Sequence, residues 1–365
     1  MSPELLVAAL GVVALIAYAV LGGADFGGGV WDLFAAGPRR SAQRDAIAHA
    51  MGPVWEANHV WLIFVIVIIF SAFPRAYAAL SIALFIPFHL VLLGIILRGA
   101  AFVFRAYSPQ SARGAGAGPG ARRWGAVFGI ASVMTPVLLG MCLGAVSAGR
   151  MGAGSWEGAA ASGAAGLDAT SPAVGGAPAW LAPVALLIGA LALALCAYLA
   201  AVFLANETTG ALREDFRTRA LLAGTAVVAL SAAALPLVRT QAPHLWQGLI
   251  GGPATPVVLV GVTAALLSGW WLRGRRYRLA RISSVVQVAC LLAGWAIAQS
   301  PYLIFPVLTL ADAAAPRSTL LFILWSTPVG MALLIPSLWL LFRVFKGEHL
   351  SHQSPGAVHR SDAES

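Results

Sequence analysis

Continuous apolar runs, separated by short segments that carry arginine or other polar residues, repeat along almost the whole 365-residue chain. Each run is about 20 residues long, which as a helix spans the roughly 30 Å hydrocarbon core of a bilayer. Barrel strands would alternate apolar with polar residues instead. The pattern therefore predicts an all-α membrane protein with nine spans. They lie at about residues 4–34, 53–72, 77–97, 124–147, 179–204, 219–240, 254–272, 283–304 and 319–345.

Three segments lack this pattern. Residues 108–120 and 148–178 are rich in Gly and Ala, which is typical of flexible loops. The tail 349–365 is polar, and we expect it to be disordered on the cytoplasmic side. The remainder, 1–348, is predicted to be one transmembrane domain. Its first run has no basic residue in front of it, so we interpret it as a span and not as a cleaved signal.

The charges of the loops predict the orientation. Only 10% of the residues are charged, against about 25% in soluble domains. The loops after spans 1, 3, 5 and 7, together with the tail, hold 19 of the 23 basic residues, and the other side holds 4. The positive-inside rule then places the N-terminus outside and the C-terminus on the cytoplasmic side of the membrane. Because the net charge of +9 comes from these loops, it does not indicate a nucleic-acid partner.

Most acids lie in loops or at the ends of the predicted spans, but two do not. Ionisable residues within spans cost about 2.5–3.5 kcal/mol each on insertion scales, so Asp25 and Glu56 are candidate functional residues. Asp25 lies late in span 1, and Glu56 lies at the start of span 2, after Pro53 in the first helical turn. The hairpin brings both acids to a similar depth, where carboxyl groups withdrawn from water can pass protons. The alternative is that Glu56 only caps its helix. Asp32 is expected to be a surface acid.

The histidines give little indication of a metal site. Trp55, Asn58 and His59 surround Glu56 in the sequence, and His59 shares its helix face. Glu-x-x-His is also a ligand motif of di-iron bundles, but the spans contain no second copy. A haem held by His59 and His89 is disfavoured because His89 is expected midway along span 3, at another depth. We therefore expect this chain to ligate neither metal nor haem.

Other polar positions allow two interpretations each. Arg98 and Arg105, seven residues apart at the end of span 3, either anchor the helix at the interface or pair with an acid such as Asp25 or Glu56. Asp312 is expected to cap a short turn beyond span 8. The three cysteines lie inside apolar runs without a CxxC spacing, which is typical of small buried residues.

Six stretches together resemble subunit II of the cytochrome bd quinol oxidases, a family that includes a cyanide-insensitive branch. They are ADFGGGVWDL (24–33), GPVWEANHVWLI (52–63), FPRAYAAL (73–80), LRGAAFVFR (97–105), ETTGALREDFRTRAL (207–221) and AQSPYLIFPVLTLADAAAP (298–316). The resemblance implies two four-helix bundles, about 4–147 and 179–345, the second with one extra helix. It also implies a heterodimer with subunit I, which binds haem b and haem d and receives quinol and oxygen.

The resemblance further implies that subunit II ligates no haem and that an acid at position 56, often Asp in relatives, lies on a proton path from the cytoplasm. Asp25 falls within the glycine-rich motif of the first span. A small accessory subunit, a structural quinone and membrane lipid are additional partners that it allows. Val103 stands where relatives often carry an acid, which affects the completeness of the path, and Ala311 replaces a frequent Trp. A secondary transporter and a scaffold without a proton role remain alternatives.

Overall fold

The computed structural model describes residues 2–106, 119–149 and 178–351. Residues 108–118 and 150–177 of the predicted loops, and most of the tail, therefore lie outside the described residues. The long helices are α1 (Pro3–Leu33), α2 (Arg40–Ala72), α4 (Phe85–Ala106), α5 (Pro119–Ser147), α6 (Pro183–Glu207), α7 (Gly210–Gln241), α9 (Thr255–Arg273), α10 (Tyr277–Gln299) and α12 (Arg317–Ser351). The short ones are α3 (Pro74–Ala83), α8 (Pro243–Leu249), α11 (Leu310–Ala313) and a 3-10 turn at Ala179–Leu181.

The prediction of a helical membrane protein is confirmed. Within the described residues, eight single helices are long and apolar enough to cross a membrane. A ninth span results if Ala57–Ala72 of α2 and the short α3, which meet at 116°, are taken together. The count of nine and the orientation of the termini stay predictions.

The start of α2 corrects the sequence analysis. The helix begins at Arg40 and not at residue 53, so Pro53 is not in its first turn. Glu56 therefore lies deep inside the helix, and the interpretation of Glu56 as a helix cap is wrong. The polar first part of α2 is helical because it packs on the protein. Ile47 is buried in the core, and Gln43 is buried and donates a hydrogen bond to Asp215 of α7.

The third predicted span is also displaced. Residues 77–97 do not form one helix, because α3 ends at Ala83 and α4 starts at Phe85. Pro87 explains the break, since it has no N–H to donate to the Ala83 carbonyl and its ring would collide with that carbonyl in a continuous helix. His89 consequently lies in the second turn of α4 instead of midway along a span, and Arg98 lies inside the helix instead of at its end.

Three helices, α1, α5 and α6, form the centre of the fold. α1 packs against α2, α5 and α6, while α5 also packs on α4, and α6 on α7 and α10. Small residues permit close approach: a Cβ atom on Gly27 of α1 would overlap the backbone carbonyl of Cys196 in α6. α9 pairs with α10, and the main contacts of α12 within the described residues are with α1 and α2. The division into two bundles plus one extra helix, which these contacts suit, stays a prediction.

The chain turns sharply after α10. The helix ends at Gln299, five residues before the predicted end of span 8, and an antiparallel hairpin pairs Tyr302–Ile304 with Leu308–Thr309. The Thr309 hydroxyl accepts a hydrogen bond from the Asp312 backbone N–H and donates one to the Asp312 carboxylate, at 3.2 and 2.5 Å. Thr309 is thus the N-cap of α11, so the expectation that Asp312 caps this turn is wrong, and Asp312 instead supplies the N–H that the cap accepts.

Candidate functional site

A fully buried ion pair joins α1 to α4. Asp25 is 1% exposed and Arg98 is 3% exposed. The Arg98 Nη1 donates to Asp25 Oδ2 at 2.6 Å, and Nη2 donates to Oδ1, also at 2.6 Å. Nη2 additionally donates to the Asp25 backbone carbonyl at 2.9 Å. This bidentate geometry is the strongest arrangement that a guanidinium and a carboxylate can adopt.

Two more helices complete the site. Asn58 of α2 donates its Nδ2 to Asp25 Oδ2 at 2.8 Å. The Arg98 Nε donates to the hydroxyl of Ser132 in α5 at 2.9 Å, and that hydroxyl donates to the Phe128 carbonyl at 2.7 Å. We call Asp25, Arg98, Asn58 and Ser132 the buried polar cluster. It links α1, α2, α4 and α5 at one level.

Aromatic rings and a glycine shape the surroundings of the Arg98 guanidinium. Its carbon lies 5.0 Å from the centre of the Phe26 ring and 4.8 Å from that of Phe128, so the cation faces two π-systems. A Cβ atom on Gly29 would overlap the Ser132 hydroxyl, so glycine is needed where α1 meets α5. The pairing of Arg98 with Asp25, left open by the sequence, is confirmed, and interfacial anchoring by Arg98 is excluded by its burial.

The position of Asn58 locates Glu56. Because Asn58 bonds Asp25, the middle of α2 lies at the level of Asp25. Glu56 precedes Asn58 by two residues, which is about 3 Å along the helix axis. The side chains of Glu56 and Arg105 lie outside the described residues, so their predicted roles stay predictions.

The Trp55 and His59 side chains connect α2 to α4 beside Glu56. The His59 Nδ1 donates to the Trp55 carbonyl at 2.7 Å, which leaves Nε2 as the acceptor nitrogen when the ring is neutral. The Trp55 ring contacts the His59 ring edge-on at 5.2 Å and stacks on Phe102 of α4 at 5.9 Å. His59 is half-buried, so this group is a polar feature of the helix surface next to the buried cluster.

The second histidine lies elsewhere. His89 is exposed and donates its Nδ1 to the carbonyl of Phe85, one turn earlier in α4, at 2.8 Å. No group of three or more His, Cys, Asp or Glu residues that could hold a metal ion occurs in the described part of the chain. Val103 is exposed on α4, so an acid at that position would face away from this chain's interior.

Sequence reasoning missed a second buried acid. Asp32 is 2% exposed, so the expectation of a surface acid is wrong. The Arg44 Nε lies 3.7 Å from Asp32 Oδ1 and donates to the Asp32 carbonyl at 3.3 Å. The sequence does indicate that Asp32 is buried, because it follows Asp25 by seven residues. That spacing is two helical turns and puts both acids on the same face of α1.

A polar network on the same side of the fold joins α2 to α7. Asp215 accepts hydrogen bonds from Arg39, at 2.6 and 2.8 Å, and from Gln43 at 2.9 Å. The Gln43 carbonyl oxygen accepts from Arg219 at 2.7 Å. Beside it, the Trp31 indole donates to the Ala197 carbonyl of α6 at 2.7 Å. The contacts of Asp215 and Gln43 hold the start of α2, the helix that carries Glu56, against α7.

Comparison with known proteins agrees with the resemblance. A family model described as cytochrome bd terminal oxidase subunit II matches residues 3–345. Cytochrome bd ubiquinol oxidase subunit 2 of Bacillus subtilis is 39% identical over 93 residues, which are 26% of this chain and 27% of that protein. Cytochrome bd-I ubiquinol oxidase subunit 2 of Escherichia coli is 28% identical over 136 residues, 36% of this chain and 32% of that protein. The aligned parts thus span about a third or less of these relatives.

A solved structure shares the fold. The chain superposes on a chain of the bd oxidase from Geobacillus thermodenitrificans with a TM-score of 0.74. The superposition covers 94% of this chain and 99% of the other, at 21% sequence identity. At that identity the match shows the arrangement of the helices and nothing about their chemistry.

Proposed function

The chain belongs to the cytochrome bd terminal oxidase subunit II family, and on that premise we propose that it is the subunit without haem ligands in a quinol-oxidising, oxygen-reducing membrane complex. The observation that carries this proposal is the family match from residue 3 to residue 345. The partner is a haem-binding subunit I, which holds haem b and haem d and meets quinol and oxygen, in the bacterial cytoplasmic membrane. Family membership disfavours the transporter alternative.

We further propose that Glu56 carries protons from the cytoplasm towards the partner's haems. Reduction of oxygen to water consumes protons together with electrons, so a buried site needs a supply of protons. Three observations support Glu56 in this role. The helix bounds remove the capping explanation, the Asn58 contact places this part of α2 at the level of a buried acid, and His59 offers a second titratable group one turn away.

For Asp25 we propose a different role in the same site. A proton carrier must gain and lose a proton, whereas both carboxylate oxygens of Asp25 already accept hydrogen bonds, from Arg98 and Asn58. Adding a proton would turn one of these oxygens into a donor that faces another donor. The pair with Arg98 therefore acts as a fixed, internally compensated charge that holds four helices in place around Glu56.

The test is a comparison of Glu56→Gln with Glu56→Asp in the assembled oxidase. Gln keeps the shape and loses the ionisable group, so we expect it to slow quinol-driven oxygen uptake per haem at least tenfold, which corresponds to about 1.4 kcal/mol of barrier. Asp keeps the ionisable group with a shorter reach, so it retains partial activity. Glu207→Gln, the same chemical change at a half-exposed acid paired with Arg281, is the matched control and keeps full activity.

Counting turnover per haem separates catalysis from assembly, because complexes that fail to form contribute no haem. Full turnover by the Glu56→Gln enzyme would remove the proton role and leave this chain as a scaffold. Loss of turnover in Glu56→Gln and Glu207→Gln alike would point to a general effect of removing an acid, and the path would lose its support.

A further inference from the structure

An unusually basic loop joins α9 to α10. With the adjoining helix ends it spans Arg273–Arg278 and contains four exposed arginines, Arg273, Arg275, Arg276 and Arg278, in six residues. We call it the basic loop. Its backbone is held by the protein, because Arg217 of α7 donates to the carbonyls of Leu272 and Arg273 at 2.8 and 3.2 Å. The Tyr277 hydroxyl also donates to Glu214 at 3.3 Å.

Most of the positive charge of the basic loop is not compensated within the chain. Arg275 lies 3.3 Å from Glu214, which Arg217 shares at 3.1 Å. Arg273, Arg276 and Arg278 form no salt bridge with an acid in the described residues. Arg276 lies instead over the Trp271 ring at 5.2 Å. Three guanidinium groups are therefore free to bind an anion that comes from outside the chain.

An apolar stripe leads up to this loop. On α9, Leu259, Leu266 and Trp270 are all exposed, Leu266 by 69% and Trp270 by 70%. Their spacings of seven and four residues put them on one helix face. Ile282 of the neighbouring α10 is exposed as well. Trp270 thus lies between the exposed apolar face and the arginines. Tryptophan is enriched at this kind of boundary, where a membrane protein passes from the hydrocarbon core into the headgroup region.

We propose that the basic loop and the stripe together bind an anionic phospholipid. Arg273, Arg276 and Arg278 hold the headgroup phosphate, and the acyl chains lie along Leu259, Leu266 and Ile282. Charge complementarity selects the anionic headgroup, since a zwitterionic lipid brings no net charge to the uncompensated arginines. The apolar stripe selects a lipid over free phosphate. The site is independent of oxidase turnover and of the role of Glu56.

The experiment uses the assembled complex, purified in mild detergent and stripped of lipid. Native mass spectrometry counts phosphatidylglycerol or phosphatidylcholine bound as each is titrated, and a third arm adds inorganic phosphate as competitor. The test variant is Arg273→Gln/Arg276→Gln/Arg278→Gln. The control is Arg239→Gln/Arg317→Gln, which removes two exposed arginines near the opposite ends of the spanning helices.

We expect phosphatidylglycerol to bind the wild type and the control alike, and phosphatidylcholine to bind far more weakly. The triple variant should lose affinity for phosphatidylglycerol by about 100-fold, since each basic residue near an anionic surface contributes roughly fivefold. High salt should weaken the binding. Equal binding in the triple variant and the wild type would overturn the proposal, as would equal affinity for the two lipids.

Two other results would replace the lipid by a different ligand. Displacement of phosphatidylglycerol by millimolar inorganic phosphate would make the loop a simple anion site and overturn the role of the stripe. Failure of the triple variant, but not of the control, to retain the haem-bearing partner would identify the loop as a protein interface and overturn the lipid site.

Discussion

Replacing Asp25 by Asn would leave the Arg98 cation buried without a counter-charge. Breaking one side of a buried pair costs about 3–5 kcal/mol, because the remaining ion stays desolvated. Two features moderate the cost here. The Asn carbonyl can still accept one hydrogen bond, and the Phe26 and Phe128 rings keep facing the guanidinium, which contributes about 0.5–2 kcal/mol. We therefore expect Asp25→Asn to destabilise the protein by about 3 kcal/mol, at the lower end of the range.

A double-mutant cycle isolates the pair from its surroundings. Arg98→Gln leaves the Asp25 carboxylate buried with Asn58 as its remaining donor, so it should destabilise at least as much. In Asp25→Asn/Arg98→Gln two amides replace two ions, and the double variant should be more stable than the sum of the single changes predicts, by about 2 kcal/mol or more. Unfolding in mixed micelles of increasing denaturing detergent measures these differences, and oxygen uptake per haem is recorded on the material that assembles.

Arg39→Gln is the matched control, since it breaks a bidentate pair with Asp215 in which Arg39 is half exposed. Such exposed pairs contribute about 0.2–1 kcal/mol, so its effect should be small. Strictly additive costs for Asp25 and Arg98 would refute the coupling. Wild-type stability in Asp25→Asn, together with a loss of turnover as large as that of Glu56→Gln, would show that Asp25 carries protons after all.

Three further predictions test other parts of the fold. Expressed without its partner, the chain should give no haem signal in a reduced-minus-oxidised spectrum, and a stoichiometric signal lost in His89→Ala would contradict this. Gly27→Ala should lower the free energy of unfolding by about 1–3 kcal/mol or more, because the new Cβ overlaps the Cys196 carbonyl. Gly11→Ala is the control and should be tolerated, because its Cβ meets Ile68 at 3.4 Å. Trp31→Phe should cost about 1 kcal/mol in the same assay, because it removes the hydrogen bond to Ala197, and an unchanged midpoint would argue against that bond.

Hydropathy predicted the long spans well where polar segments bound them on both sides. It failed at α2, where residues 40–52 are polar in composition but helical because Gln43 and Ile47 pack on other helices. It also failed between α3 and α4, where Leu84 interrupts a stretch that is apolar throughout. Hydropathy measures the free energy of transferring a segment from water into lipid. A tertiary contact or a proline-induced break does not change that free energy, so hydropathy does not detect either. Pro87 is the residue in the sequence that indicates the break between α3 and α4.

The candidate site was only partly predictable for a related reason. Because charged residues are rare inside the membrane, the sequence indicates Asp25 and Glu56 as candidate functional residues. The position of Arg98, near the expected depth of these acids, makes it a candidate partner for one of them. Ser132, by contrast, is an ordinary hydroxyl in an apolar run, and nothing local in the sequence distinguishes it from the other serines of the spans. Its role arises from the close approach of α1 and α5 at Gly29, which is a property of the packing.

The pairing of Asp25 with Arg98 determines the net charge of the buried polar cluster beside Glu56. The two charges cancel, so the cluster is neutral and adds no net charge at the level of Glu56. Val103 is exposed on α4, so an acid at that position would lie on the outer surface of this chain. On the proposed path, the next group after Glu56 is then either His59, one turn away on α2, or a group of the partner, which makes the contact with the partner part of that proposal.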